Sequence, residues 1–370
     1  MKANNVLGII FSNMHDDKIV EMTASRTMGS IPYGGRYRLI DFALSGMVNS
    51  DIKTVGVVTK RNYQSLMDHL GSGKAWDLSR KRDGLFILPP FGSGNDVYKT
   101  RMEALYGILS FLRGAKQDYV VMTDSNIVAA LDFQKLLEFH KESGADITVG
   151  YKKMPVPESA VEPLILSDID KNGKIKEVLI GPDIDGEGAV GVNIYAIGRE
   201  FLIEKVNEAI SRDQRHFGRV IQRSTEKYNI YAYEFTGHMD LITSMNSYFE
   251  SNMSLQRDEV RKSLFTEAPV YTKLKDDMPA VYGLGAKVSN SMIADGCVID
   301  GTVENSVLFR GVTVHKGAHV SNCIVMQGSE IGAGSILDYA VLDKDVIVGE
   351  NRMLKGAQSH PHYIGKRSVV

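Results

Sequence analysis

From about Leu274 onward, branched aliphatic residues return at steps of five or six: Val303, Leu308, Val314, Val320, Val325, Ile331, Leu337, Leu342 and Val348. Gly296 and Gly301 lead into the series, and Gly311, Gly317, Gly328 and Gly332 fall between its members. An α-helix cannot bury this pattern, because a helical face needs returns at three and four residues. A six-residue step with small residues at the corners predicts a left-handed parallel β-helix, in which each turn of chain adds one apolar rung to a shared core. Such a stack suits a structural or inter-subunit role, and the chain before it must fold by other rules.

With 370 residues the chain exceeds the usual size of a single core. We divide it at 265/266, into an α/β unit over 1–265 and a linker with the β-helix over 266–370. Apolar runs at 6–11, 54–59, 119–123 and 146–151 alternate with helical stretches near 62–70, 100–113 and 133–143. That alternation predicts a Rossmann-like, doubly wound α/β layer. Ligands in such sheets bind at the carboxyl ends of the strands, so a site belongs on the loops after Phe11, Thr59 and Thr123. A net charge of −2 argues against nucleic acid as a partner. No run of 18 apolar residues argues for a membrane span, and the first apolar run is too short for a signal peptide. Cys297 and Cys323 form no CxxC and no zinc pattern, which fits a reducing cytoplasm.

The stretch Pro32-Tyr33-Gly34-Gly35-Arg36-Tyr37-Arg38-Leu39-Ile40-Asp41-Phe42 resembles the PFGGKYRIIDF signature of bacterial ADP-glucose pyrophosphorylases, the glucose-1-phosphate adenylyltransferases. Leu44-Ser45 and Val48-Asn49-Ser50 continue it, as do Trp76-Asp77-Leu78, Ile87-Leu88-Pro89-Pro90 and the join Ala268-Pro269-Val270-Tyr271-Thr272. The resemblance runs essentially from residue 5 into the β-helix. It implies a nucleotidyltransferase fold and, around the pocket, Arg26, Gly34, Gly35, Arg36, Arg38 and Asp124. A hexapeptide domain alone would suggest an acyltransferase; these signatures ahead of it argue otherwise.

Adenylyl transfer needs backbone donors around a triphosphate, cations to offset its charge, and carboxylates for Mg²⁺. The family's glycine-rich loop LAGGxGxRL falls on Phe11 to Ile19, where Asn13, Met14 and Asp16 replace glycines and Lys18 replaces arginine. On this alignment Asp16 and Asp17 would face a triphosphate with like charge. The lysine of RAKPAV is Met28, and GTADA has become Thr100-Arg101-Met102-Glu103-Ala104. Asp124 matches the family's strand-end aspartate and is the one candidate Mg²⁺ ligand. The second aspartate position is Leu241, with Asp240 one residue off. The Glu-Lys pair that meets the sugar phosphate has become Ile180-Gly181.

Removing one preorganised charge stabiliser costs about 2.7–4 kcal/mol in the barrier, so three losses approach ~8–12 kcal/mol if additive. Even the lower end is about 10⁶-fold in rate. Fold signatures kept and catalytic positions replaced resemble the non-catalytic second subunit that accompanies the active enzyme in many Gram-positive bacteria. The resemblance implies a regulatory or stabilising subunit in glycogen biosynthesis that pairs with a catalytic subunit, with a small-molecule effector as a further possible partner. It implies no intact catalytic set, no cofactor for the chain alone, and Mg²⁺ only with residual catalysis. The rival expectation is an active adenylyltransferase making ADP-glucose from ATP and glucose-1-phosphate with rearranged ligands.

Overall fold

The computed structural model describes residues 5–90, 98–157, 164–181, 186–266 and 268–370. The amino-terminal part is built on a nine-stranded mixed sheet. Its centre is parallel: Val6–Phe11 lies between Thr54–Val58 and Tyr119–Asp124, and Gly84–Leu88 extends one edge. Strands covered on both faces can be unbroken apolar runs, and VLGIIF and TVGVV are buried throughout. The register sets Phe11 opposite both Val58 and Asp124, so three strands end in one line. The chemistry, if any, belongs just beyond that line.

Past Tyr119–Asp124 the sheet turns antiparallel. Glu187–Gly198 pairs with it, and Ile147–Pro155, Leu164–Ile169 and Ile175–Ile180 follow, while Ile230–Glu234 lies parallel to Ile147–Pro155. The sequence reading named three of the parallel strands and, in 146–151, one strand of this wing, but missed Gly84–Leu88 and the rest of the wing. Its strands are interrupted by glycine and asparagine, and half-exposed positions break their apolar runs. The helix expected over 100–113 is two helices, Arg101–Gly107 and Leu109–Gly114, broken where Ile108 leaves the helical region after a glycine. Among the described residues no helix is long and apolar enough to cross a membrane.

The carboxyl-terminal part is the left-handed parallel β-helix, three five-stranded parallel sheets wound from one chain. Val303, Leu308, Val314, Val320, Val325, Ile331, Leu337, Leu342 and Val348 all point into its core. Its corners hold a feature the periodicity did not reveal. Asn290, Asn305, Asn322 and Tyr339 all have positive φ, and Asn290 Nδ2 donates to Asn305 Oδ1 at 2.7 Å. Asparagine enters the left-handed region at lower cost than other side chains, which is why it recurs there.

The two parts share a core. Ile19, Met22, Met28, Tyr33, Phe42, Tyr248, Phe249 and Leu264 pack in one cluster with Val307, Phe309, Ile324, Met326 and Val341 of the β-helix. A buried ion pair crosses the same seam. Arg26 Nη2 donates to both carboxylate oxygens of Asp343 at 2.8 Å, with the two side chains 3% and 2% exposed.

Candidate functional site

Beyond the aligned strand ends lies a cavity of about 480 Å³. One wall is the loop after Val6–Phe11, which is stitched down rather than open. Asn13 Oδ1 accepts from the Lys60 amide at 2.9 Å, and Asn13 Nδ2 donates to Asp16 Oδ2 at 2.6 Å. Asp16 Oδ1 accepts from the Met28 amide at 2.7 Å. Burial pushes the Asp16 carboxyl up to about 6 against these bonds. The loop that would cradle phosphates with backbone donors is thus closed by its own side chains. Asp16 turns away from the cavity instead of facing it, which corrects the sequence expectation; Asp17 does line it.

Beneath the cavity, behind its lining residues Arg101 and His15, sits Asp124, fully buried. Its Oδ2 meets Arg101 Nη2 at 2.8 Å and His15 Nε2 at 2.7 Å. Burial alone would raise its pKa, but the Arg101 guanidinium and the His15 ring outweigh burial and hold it down to about 2. Arg101 is placed by the start of its helix, where Thr100 accepts from the Glu103 amide and the Glu103 carboxylate accepts from the Thr100 amide. Its guanidinium lies over the Phe11 ring at 4.5 Å and near the Tyr195 ring at 5.6 Å. The opposite wall comes from strand Glu187–Gly198, whose pairing slips between Gly191 and Ile194. This bulge includes Asn193 at φ 58°, and Val192, Asn193 and Tyr195 line the cavity.

The structure separates the residues that the resemblance gathered. Asp124 alone comes near the cavity, behind the lining residues Arg101 and His15 that bond it. Arg26 is held by Asp343 of the β-helix. Gly34 and Gly35, at φ 56° and 80°, turn the chain between Pro32–Tyr33 and Tyr37–Arg38, where the Gly34 amide donates to Asn252 Oδ1 at 2.9 Å. A Cβ on Gly35 would lie 3.7 Å from the Leu308 carbonyl of the β-helix. Arg36 is exposed over Tyr37, and Arg38 donates to the Ser30 and Ser65 carbonyls. None of these five lines the cavity. Their turn serves close packing against helix Met245–Ser254 and the β-helix, so they mark the seam.

Some of the altered catalytic positions do lie at the cavity. Met14, Lys18, Ile180 and Leu241 line it, and Gly181 follows directly after Ile180. Asp240 faces elsewhere, accepting from Ser251 Oγ at 2.6 Å and meeting His238 at 3.0 Å. His15, Arg101, Asn193 and Tyr195 were not singled out from sequence. Arg101 stood in a segment already known to depart from the family pattern, and a new cation at a strand-end carboxylate was the available signal.

Mg²⁺ needs several oxygen ligands. Here one Asp124 oxygen is already bonded by a guanidinium and an imidazole, and Leu241 offers none. Among the described residues no group of three or more His, Cys, Asp or Glu could hold a metal ion. The donor set does not fit the ion.

Two family models match the chain: nucleotidyl transferase over residues 8–258, and the GlmU-like C-terminal hexapeptide over 280–358. The chain is 33% identical to glycogen biosynthesis protein GlgD of Bacillus subtilis, an alignment covering 100% of this chain and 98% of that protein. It is 30% identical to glucose-1-phosphate adenylyltransferase of Bacillus thuringiensis over 91% of each chain. Against the enzyme of the same name from Bacillus cytotoxicus the identity is 29% over 97% of each.

Proposed function

Because this chain belongs to the glucose-1-phosphate adenylyltransferase family of nucleotidyl transferases, we propose that it acts in bacterial glycogen biosynthesis as a regulatory or stabilising subunit beside a catalytic relative. The carrying observation is the floor of the cavity. Asp124, the one aligned carboxylate, is paired with Arg101 and hydrogen-bonded by His15, while Leu241 and Gly181 stand where a second carboxylate and a phosphate-binding lysine would act. The charges aligned with the family's chemistry are replaced or paired, yet the scaffold persists over nearly the whole length of the relatives. A partner role uses the scaffold without the chemistry.

Co-expression with a glucose-1-phosphate adenylyltransferase that retains its glycine-rich loop tests this, read by size exclusion with light scattering. A mixed oligomer is expected, together with no ADP-glucose from the isolated chain supplied with ATP, glucose-1-phosphate and Mg²⁺. Separate homo-oligomers at micromolar concentration would overturn the partner reading. A turnover of about 1 s⁻¹ from the chain alone, within the ordinary enzyme range, would restore the enzyme.

A further inference from the structure

A second hollow lies away from the strand ends, along helix Met245–Ser254. Positions 245 and 246, 249 and 250, and 253 and 254 repeat every four residues and so share one face. Met245 and Asn246 line a cavity of about 610 Å³, and Phe249, Glu250, Met253 and Ser254 line another of about 340 Å³. Both have the same opposite wall, a hairpin between strands Met353–Lys355 and His362–Ile364 of the last coil. Ala357 and His360 exchange backbone hydrogen bonds at 3.1 and 2.9 Å, a tight turn with Gln358 and Ser359 at its tip. Gln358 lines the smaller cavity and Ser359 the larger. The two hollows follow one another along a helix about 15 Å long at 1.5 Å per residue, making a groove between the α/β unit and the β-helix.

The permanent charges in this groove cancel. Glu21 and Glu250 stand against Lys355 and Arg257, so neither an anion nor a cation is favoured. Much of the remaining polar lining is amide and hydroxyl. An amide side chain offers donors and an acceptor in one plane, which matches the donor and acceptor that each sugar hydroxyl carries. Several of these amides are fixed in place with capacity to spare. Asn246 Nδ2 donates to Glu250 Oε1 at 3.1 Å, which ties the two hollows together. Asn290 Nδ2 donates to Gln256 Oε1 at 3.2 Å and to Asn305 Oδ1 at 2.7 Å, and among the described residues Asn290 Oδ1 accepts nothing. Gln256 Nε2 has only the Met253 sulfur at 3.9 Å, a weak acceptor. Met245, Met253 and Tyr363 add an apolar strip for the C–H face of a sugar ring. A protein partner anchors through large side chains in closed pockets, whereas here Asn290 and Gln358 form an exposed rim of amides.

We propose that this groove binds a linear, uncharged oligosaccharide, an α-glucan chain lying along helix Met245–Ser254. It shares no lining residue with the strand-end cavity, and it gives the chain a hold on a polymer rather than on an enzyme. The choice of glucan among neutral oligosaccharides rests on the glycogen-biosynthesis reading; the groove itself does not. No bond is made or broken.

The test titrates the full chain with maltoheptaose in isothermal titration calorimetry, with and without glucose-1-phosphate. Saturable binding with a Kd below about 1 mM is expected, unchanged by glucose-1-phosphate. Gln358→Ala, at the exposed tip, should weaken it about threefold, and Gln358→Ala with Gln256→Ala at least about tenfold, the scale of one and two lost hydrogen bonds. Circular dichroism checks that both variants fold. No saturation at about 10 mM maltoheptaose overturns the proposal, as does unaltered affinity in both variants. Displacement by glucose-1-phosphate would put the glucan in the strand-end cavity and overturn it too. Mixed-oligomer formation with the catalytic relative is measured on the same samples and should be unchanged in the variants. Its loss there would make the groove a protein interface and refute glucan binding. Failure of the wild type to form any mixed oligomer would remove the subunit reading alone and leave glucan binding standing.

Discussion

Replacing Asp343 by asparagine should damage the whole molecule, although no cavity residue is touched. Asp343 accepts both bonds from Arg26, a bond from the Lys344 amide at 2.7 Å and one from the Tyr363 hydroxyl at 2.8 Å. Asparagine keeps acceptor capacity for the neutral donors but leaves the Arg26 charge uncompensated. The surroundings worsen this: Lys344 is held down to about 7 by burial and by the nearby Arg38 and Arg26 charges. Breaking a buried pair by removing one partner costs about 3–5 kcal/mol, whereas replacing both partners with apolar groups is often near neutral. Against a total stability of about 5–15 kcal/mol, Asp343→Asn would leave the chain near its unfolding threshold. Arg26→Met should cost about as much, and Arg26→Met with Asp343→Leu should lie within about 1–2 kcal/mol of wild type. Urea unfolding reads the cycle, with circular dichroism for the whole chain and the single tryptophan, Trp76, packed against His69 in the α/β unit, as a local probe. The difference between the double variant and the sum of the singles is the coupling across the seam. Single variants losing less than about 1 kcal/mol, or a double variant as poor as the sum, would refute the reasoning.

Asp16 gives a pH signature: burial raises its folded pKa to about 6 from the ordinary 3.8, so its stabilising contribution is full below the lower value and fades as pH rises through the upper. Wild type should lose about 1–3 kcal/mol relative to Asp16→Asn between pH 4 and 6.5 in urea titrations, and parallel curves would count against the buried-carboxyl account. Gly84 and Gly71 form a matched pair, because an added Cβ on Gly84 would lie 2.2 Å from the Leu78 carbonyl whereas on Gly71 it meets nothing within 4 Å. Gly84→Ala should therefore lower the melting temperature well beyond Gly71→Ala, whose positive φ alone costs about 1 kcal/mol. Restoring catalysis by Asn13→Gly, Met14→Gly, Asp16→Gly, Lys18→Arg, Ile180→Glu, Gly181→Lys and Leu241→Asp should give no Mg²⁺-dependent ADP-glucose while Arg101 remains. Adding Arg101→Thr should be the step that admits the metal, and product formation before it would contradict the reading that Arg101 occupies the carboxylate a metal would need.

The β-helix was legible because its periodicity is that of its packing: every rung named from sequence lies in the core. The three central parallel strands were legible for the same reason, being near-continuous apolar runs buried on both faces, whereas the half-exposed edge strand Gly84–Leu88 was not. Of the antiparallel wing only 146–151 was legible, since Glu187–Gly198 reads as glycines and an asparagine until its bulge is seen to aim side chains at the cavity. Substituted positions could be found by alignment, but their consequences needed coordinates. Met28 looks like a lost phosphate cation, yet its side chain is 1% exposed in the core shared with the β-helix, so a lysine there would be buried among apolar groups. His15 and Arg101 lie far apart in the chain and meet only because Asp124 ends its strand between them. No spacing rule reports such a meeting.

The turn from Pro32 to Phe42 carries the signature by which the chain is recognised, and its side chains hold the seam rather than the cavity. Mutation therefore meets two different penalties in one gene. A change beside Asp124 forfeits a reaction, while a change at Gly34, Tyr33 or Arg26 endangers the folded molecule itself. A lineage freed from the reaction can let the first group drift and must still keep the second. The emblem of an enzyme family can in this way be inherited intact by descendants that no longer perform its chemistry.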